Sequence, residues 1–422
     1  MSGMTVTVPH VQAIRCDRTA VVVEPTAVLV PGNRWDLLPP GPQPTVTVVV
    51  THFEQPRQLA MVLAALAIQT HQPIDVVVAD DGSAVGPVVT AGVRLVRQDD
   101  RGFRAAAARN LGAAGSTSDV LVFLDADTVP EPGFVAALVR RPAACPDVLA
   151  VGRRRHADLS GDGNELPEPG WLRDGYTASR DLLDADGRSF RFVISAVLAC
   201  RRTLFEDLGG FDERFVGYGG EDWDLAYRAW NAGAVLVHEP AAVAWHDGPE
   251  WAARDSSAGL KQAETARLAA LIPEPSTRGA PLPEMLPDVL IDVPTYDQRC
   301  VHALLRQTHR DLQVRVADAV HWHRVAVRGE PWTADQLRRA RVQVQLWHPI
   351  ALAPGTVSEL VSRLTDHGLG ELVLCHAGEV VGVACSSRSL GRARRWAGKL
   401  DDVVGRAFGR EQVEVELAPT EL

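Results

Sequence analysis

The run Val120-Leu121-Val122-Phe123-Leu124 leads directly into Asp125-Ala126-Asp127. If the run is a strand, its two-residue period puts Asp125 and Asp127 on one side of its C-terminal end. Carboxylates paired there are costly unless a cation or donors compensate them. A divalent cation bridging them to a diphosphate meets that need, since hard cations favour carboxylate and phosphate oxygens. His246, in Trp245-His246-Asp247 after the run 241–244, is the candidate third ligand beside Asp127, with His238 a weaker rival. Asp184-Ala185-Asp186-Gly187 has the same acid spacing but follows no such run and reads as a turn. Asp158-x-Ser160-x-Asp162-Gly163 begins like a calcium loop, but its twelfth position is Pro169 instead of Glu.

Three further clusters carry chemistry. Asp80-Asp81-Gly82-Ser83 crowds carboxylates after another apolar run, where they can accept hydrogen bonds from a base N–H or a ribose hydroxyl, or simply shape a turn. Arg101 and Arg104 precede Arg109-Asn110-Leu111-Gly112; arginines near a helix start suit a phosphate or a surface salt bridge. The most distinctive segment is Gly217-Tyr218-Gly219-Gly220-Glu221-Asp222-Trp223-Asp224. Its glycines let backbone approach a ligand, its aromatics offer flat faces to sugar rings, and its acids can bind or deprotonate sugar hydroxyls. The acids can also cap the helix expected to start there.

These residues need a scaffold, and the pattern around them supplies one. Runs at 46–50, 74–79, 93–97 and 120–124 read as strands; 57–70 and 105–114 read as helices. Strand–helix alternation predicts an α/β fold with a mostly parallel sheet and chemistry at the strands' C-terminal ends. Residues 1–43 form an N-terminal extension, with short strands expected at 20–23 and 27–30. Prolines 273, 275, 281, 283 and 287 predict a linker over 273–287, dividing a domain at 44–272 from one at 288–422. A partial repeat crosses that divide. Ala65-Leu66 and Gln69-Thr70-His71, followed by Val76, Val78, Ala79 and Asp80, recur 238 residues later as Ala303-Leu304, Gln307-Thr308-His309, Val314, Val316, Ala317 and Asp318. Residues 371–378 resemble 119–127, which aligns Asp125-Ala126-Asp127 with His376-Ala377-Gly378 and Asp81 with Ala319.

Composition narrows the function classes. The 422 residues are 46% hydrophobic and carry 53 acidic against 43 basic side chains, a net charge of −10. That is ordinary globular composition and a poor match to general nucleic-acid binding. No apolar run approaches the ~20 residues of a membrane span. The N-terminus lacks the pattern of a signal peptide, and six scattered cysteines are expected as reduced buried thiols, so a cytoplasmic location is expected.

Five motifs in order, Thr51-His52-Phe53-Glu54, Asp80-Asp81-Gly82-Ser83, Arg109-Asn110-Leu111-Gly112, Leu124-Asp125-Ala126-Asp127 and Gly219-Gly220-Glu221-Asp222-Trp223-Asp224, resemble glycosyltransferase family 2. Within it the chain is most similar to members with a galactosyltransferase-type C-terminal motif, such as chondroitin-polymerase-like enzymes; the likeness covers about residues 44–250. The resemblance implies a GT-A fold, a nucleotide-sugar donor (commonly UDP), Mn2+ or Mg2+, and inversion at the anomeric carbon. It implies that Thr51, Glu54 and Asp81 contact the nucleoside, with Asp80, Arg104 and Asn110 on the donor side. Asp125 is expected on ribose or metal, Asp127 and His246 on the metal. Tyr218, Gly220, Glu221 and Trp223 are expected at the acceptor, and Asp222 as general base with Glu221 beside it. The acceptor is a glycan, a lipid-linked sugar or a small molecule; a lipid-linked one would place the protein at the inner membrane face. The C-terminal unit is expected to be a degenerate GT-A-like domain without donor carboxylates, shaping the acceptor site or a homo-oligomer contact. The competing readings are a non-catalytic sugar-nucleotide-binding subunit and a nucleotidyltransferase; the latter wants a Gly-rich phosphate loop where Thr51-His52-Phe53-Glu54 stands.

Overall fold

The computed structural model describes residues 27–248, 258–281, 285–316, 327–396 and 400–419. Its first sheet holds β1 (Val46–His52), β2 (Ile74–Asp80), β3 (Arg94–Arg97), β4 (Val120–Asp125), β5 (Thr128–Pro130), β6 (Val148–Ala157), β7 (Glu165–Leu166), β8 (Val197–Arg201) and β9 (Val235–Asp247). The order is β3-β2-β1-β4-β8-β6-β9-β5, with β7 paired to β6. Strands β3, β2, β1 and β4 are mutually parallel, β8 is antiparallel to β4 and β6, and β9 is parallel to β6. Between them run α1 (Pro56–Ala67), α2 (Ala105–Ala113), α3 (Phe134–Ala144), α4 (Gly170–Ala178), α5 (Arg202–Leu208) and α6 (Glu221–Asn231). Strands β1 and β4 are buried along almost their whole length, as their unbroken apolar runs require of a sheet covered on both faces.

Helix α1 stops at Ala67, three residues short of the expected Thr70. Gln69 and Thr70 have another task. The Gln69 amide donates to Glu131 O at 2.8 Å and accepts from Val135 N at 3.0 Å, while Thr70 N donates to Pro132 O at 2.8 Å. The expected strand at 20–23 lies outside the described residues. The one at 27–30 is not a strand but an irregular strap. Val28 N donates to Ala144 O, Val30 is buried, and the Asn33 side chain ties the strap to the backbone of Leu182 and Leu236.

The second sheet contains β10 (Val289–Val293), β11 (Leu312–Val316), β12 (Val327–Arg328), β13 (Val342–Leu346), β14 (Glu371–His376), β15 (Glu379–Ser386) and β16 (Arg410–Glu414), in the order β12-β11-β10-β13-β15-β14-β16. Strands β12, β11, β10 and β13 are parallel, β15 is antiparallel to β13 and β14, and β16 is parallel to β14. This repeats the first sheet's seven-strand path in order and direction. Gln307 also repeats Gln69's clamp, donating to Ala353 O at 2.9 Å and accepting from Val357 N at 3.0 Å, and Thr308 N donates to Pro354 O.

The topology corrects one detail of the repeat. The strand in β4's position is β13, not β14: Val120 pairs with Val46 on β1, and Val342 pairs with Val289 on β10. The place of Asp125-Ala126-Asp127 is therefore taken by Trp347-His348-Pro349, whereas His376-Ala377-Gly378 forms the β14–β15 turn. Residues 317–319 lie outside the described set. Part of the proline-rich segment is packed: Pro275–Arg278 is a helical turn, and the Arg278 side chain is buried against Ala269 O and Asp311.

Candidate active site

Parallel register brings the C-terminal ends of β1, β2 and β4 to one edge. Thr51 lies beside Ala79 and Asp125, and His52 beside Asp80. Helix α2 lies close above them because its buried face is small; a Cβ on Gly112 would stand 2.4 Å from Val49 Cγ1. Its single inward cation, Arg109, is buried and bridges two segments. Nη2 is 2.9 Å from Asp125 Oδ1, and Nη1 is 2.8 Å from Glu221 Oε1.

Glu221 opens α6 directly after Gly219 and Gly220, both left-handed at φ 93° and 89°. A Cβ at Gly220 would stand 2.8 Å from the Phe215 ring, so this turn needs glycine twice over. Asp222 comes next and accepts from Trp223 N at 2.8 Å and from Ser195 N. Burial, reinforced by the Glu221 charge, raises Asp222 to about 7 against the opposing pull of Arg109. A carboxylate poised there can hold or release a proton at neutral pH. Glu221 Oε2, Arg109 Nε and Thr51 Oγ1 are buried without hydrogen-bond partners around this cleft, as groups awaiting a ligand would be.

Asp127 and His246 meet where β5 pairs with β9, with His246 Nε2 3.6 Å from Asp127 Oδ2. His246 Nδ1 is 3.2 Å from Gly248 O; donation there leaves the Nε2 lone pair toward Asp127. A carboxylate oxygen and an imidazole nitrogen so placed fit a divalent cation. Asp125 is instead turned to Arg109. Among the described residues no group of three His, Cys, Asp or Glu side chains is arranged to hold a metal alone. Gln55, which the sequence reading overlooked, donates to Asp127 Oδ2 at 2.9 Å.

The donor-side expectations divide. Asp81 is buried, and this raises its pKa; its carboxylate accepts from the Gln98 amide and from Arg104 N at 2.7 Å. Arg104 thus orders Asp81 through its backbone. Glu54, left-handed at φ 52°, accepts from Ala84 N and donates its own N–H to Ser83 Oγ. Asp80 is consumed by its loop: His52 Nδ1 at 2.8 Å, Ser83 Oγ at 2.6 Å and Arg97 Nε at 2.9 Å surround a carboxylate with no exposure. Asn110 is likewise occupied, exchanging two 2.9 Å hydrogen bonds with the Phe211 backbone.

Of the residues expected at the acceptor, Tyr218 lies against Phe103 at 5.5 Å, and Trp223 packs edge-on with Trp171 and Phe190. Asp224 faces away from this cleft. It is fully buried, 2.8 Å from Arg228 Nε and paired with Arg339 from the second domain. His238 lies apart from Asp127, bonded to Asp181 at 2.7 Å. Asp184 and Asp186 serve local turn contacts with Arg180 and Arg188. Arg109 opens the Arg109-Asn110-Leu111-Gly112 motif without an expected role of its own; a lone charge within the Ala-rich stretch 105–114 is the further signal.

Residues 47–209 match the model of glycosyl transferase family 2, and residues 186–242 that of the N-terminal domain of galactosyltransferase. Residues 47–209 are a glycosyl transferase family 2 domain. The Arg109 bridge joins the two matched segments, since Arg109 and Asp125 lie in the first and Glu221 in the second. The chain is 28% identical over 319 residues to hyaluronan synthase of Pasteurella multocida, covering 65% of this chain and 33% of that protein. It is equally similar to chondroitin synthase of Escherichia coli, covering 46% of it. It is 30% identical over 276 residues to the pre-mycofactocin glycosyltransferase of Mycobacterium tuberculosis, covering 60% of this chain and 55% of that one. The chain therefore spans a third to just over half of these relatives. A mannosyltransferase from Pyrobaculum calidifontis, solved with GDP-Man and Mn2+, is 20% identical with a TM-score of 0.39, covering 56% of this chain and 66% of its own. The glycosyltransferase domain has the expected GT-A type of α/β fold, followed by a second sheet domain. Among the described residues no helix is long and apolar enough to cross a membrane.

Proposed function

We propose that the chain transfers a sugar from a nucleotide-sugar donor, expected to be a UDP-sugar, to an acceptor hydroxyl with inversion at the anomeric carbon. The observation that carries this reading is the Arg109 bridge. One guanidinium fixes the strand end bearing Asp125 against the helix start bearing Glu221 and Asp222. Thr51, Glu54 and Asp81 line the nucleoside side. Asp127 and His246 would hold the cation, Mn2+ or Mg2+, whose charge offsets that growing on the departing diphosphate.

The chain's own residues handle the acceptor. Glu221 Oε2 accepts a hydrogen bond from an acceptor sugar hydroxyl, with Tyr218 and Trp223 flanking the ring. Asp222 takes the proton of the attacking hydroxyl as its oxygen bonds to the anomeric carbon. The bond from that carbon to the diphosphate oxygen breaks on the opposite face. Arg109 pairs with Glu221 and limits the rise of Asp222.

The test is binding and hydrolysis of a panel of nucleotide sugars with and without Mn2+, for the wild type and Asp127→Ala. Metal-dependent binding of one donor, lost in the variant, supports the reading. A folded protein that binds none of them overturns it in favour of a subunit without donor chemistry.

A further inference from the structure

Helix α1 begins in a way that its local sequence does not favour. Gln55 is its N-cap and Pro56 its first residue. Proline suits that first place, but an N-cap is best filled by Ser, Thr, Asp or Asn, whose short side chains accept from the helix's unpaired N–H groups. The Gln55 side chain makes no such cap. Glu54 before it is left-handed at φ 52°, an uncommon conformation for a residue other than glycine. Both departures serve contacts outside the helix.

The Gln55 side chain donates from Nε2 to Asp127 Oδ2 at 2.9 Å, and its backbone N–H donates to His52 Nε2 at 3.2 Å. Accepting there, His52 carries its proton on Nδ1, which lies 2.8 Å from Asp80 Oδ1. His52 is 2% exposed and Asp80 not at all, so this pair is fixed. Ser83 Oγ donates to the same Asp80 oxygen at 2.6 Å and accepts from Glu54 N at 2.9 Å. The carbonyl of His52 accepts from Asp81 N at 2.8 Å. Hydrogen bonds thus run without a gap from the 80–83 loop, through His52 and Gln55, to Asp127, whose Oδ2 is 3.6 Å from His246 Nε2.

Glu54 and Asp81, expected at the nucleoside, flank one end of this chain; Asp127 and His246, expected at the cation, form the other. A carboxylate oxygen has two lone pairs. Gln55 takes one on Asp127 Oδ2, which fixes the carboxylate's rotation and leaves the other for a cation. Gln58, one turn further along α1, donates instead to Asp247 Oδ2 at 3.2 Å.

We propose that Gln55 is a positioning residue that couples the two ends of the donor site: a nucleoside seated at Glu54 and Asp81 orders the turn that carries Gln55, and Gln55 holds Asp127 ready for the cation. Nucleoside and cation therefore strengthen each other's binding even where no phosphate joins them. This rests on the donor reading above, but the binding it requires does not depend on turnover.

The test is a binding cycle of Mn2+ with a nucleoside that has no phosphate, uridine or guanosine, followed by calorimetry and by the EPR signal of free Mn2+. The wild type is expected to bind one nucleoside at least fivefold more tightly in saturating Mn2+, and Mn2+ more tightly by the same factor in saturating nucleoside, since coupling is reciprocal. In Gln55→Met, which keeps the backbone N–H and removes the amide, the factor is expected to fall below twofold, and Mn2+ alone to bind about tenfold more weakly. Gln55→Asn is expected to lose the coupling in the same way while its melting temperature holds or rises, because its shorter amide falls short of Asp127 and suits the cap. A residue that merely starts the helix would show the opposite pattern. Gln58→Met is expected to keep the full factor. Nucleoside affinity indifferent to Mn2+ in the wild type, or a factor that survives both Gln55 variants, overturns the proposal. UDP and GDP in the same cycle separate the two readings, because a diphosphate reaches the cation directly. Metal-dependent binding of a diphosphate without nucleoside coupling removes the coupling alone; no binding of either diphosphate, with or without Mn2+, removes the donor reading and the coupling with it.

Discussion

Arg109 and Glu221 stand 112 residues apart in the chain and 2.8 Å apart in the fold, both almost fully buried. Their contact joins the start of α6 to the edge of the parallel strands, because the same guanidinium also holds Asp125. Replacing Arg109 with Met leaves Glu221 buried and uncompensated. Breaking a buried pair from one side typically costs about 3–5 kcal/mol. A clear fall in melting temperature is expected for Arg109→Met, with Arg173→Met, at the exposed surface, unchanged within ~0.5 kcal/mol as a control.

The same arginine sets the pH response. A base must be deprotonated to act, so turnover is expected to rise with pH through about 7, the position of Asp222. Arg109 pulls that value down, so Arg109→Met is expected to move the acidic limb to higher pH. A pH–rate profile of the wild type, and of whatever activity the variant retains, checks both the midpoint and the direction.

Metal dependence has its own signature. In the proposed reading His246 and Asp127 would hold the cation, and Gln55 steadies Asp127. His246→Ala is expected to raise the Mn2+ concentration needed for half-maximal donor binding by at least about tenfold. Chelation of the cation is expected to abolish donor binding in the wild type without unfolding it. A titration followed by both donor binding and circular dichroism distinguishes these effects.

The second domain grips α6. Arg339, 1% exposed in its side chain, pairs with Asp224 one turn beyond Glu221 and lies 2.7 Å from Asp212, while its carbonyl accepts from Tyr227 and Asn231 of α6. Arg388, Arg392 and Arg395 donate to Trp230 O, Gly233 O and Ala232 O at the other end of α6. These cations meet the helix's negative pole. Arg339→Met is expected to lower stability to denaturant by about 1–3 kcal/mol, since it removes the charged partner of Asp224 Oδ1 while Arg228 still holds Oδ2. A loss below ~0.5 kcal/mol would show that the contact between the domains does not hold α6.

What the sequence reveals follows from which interactions are local. Asp125, Asp127, Glu221 and Asp222 are legible because acids at the end of an apolar run or after paired glycines are unusual in themselves. Asp224 looks like a third member of that set, but it is turned away by Arg228 four residues on and by Arg339, which is 115 residues away. Asp80 and Asp81 are adjacent and chemically alike; only the fold separates them, burying Asp80 among His52, Ser83 and Arg97. The repeated Gln-Thr-His is legible because both copies make the same backbone clamp. The counterpart of β4 is not. Its apolar run is unbroken and buried on both faces, whereas β13, Val-Gln-Val-Gln-Leu, alternates between buried and half-buried positions. Residues 371–376 match the β4 pattern better yet occupy another place in the sheet.

The most direct test of the account is the turnover of Asp222→Asn compared with the wild type, on the nucleotide sugar that the wild type binds, with donor affinity measured in parallel. The account predicts transfer reduced by about 10²–10⁴-fold with donor binding preserved, since the amide cannot take the acceptor's proton. Turnover within a few-fold of the wild type, with the acid confirmed as replaced, would contradict it and remove Asp222 from the chemistry.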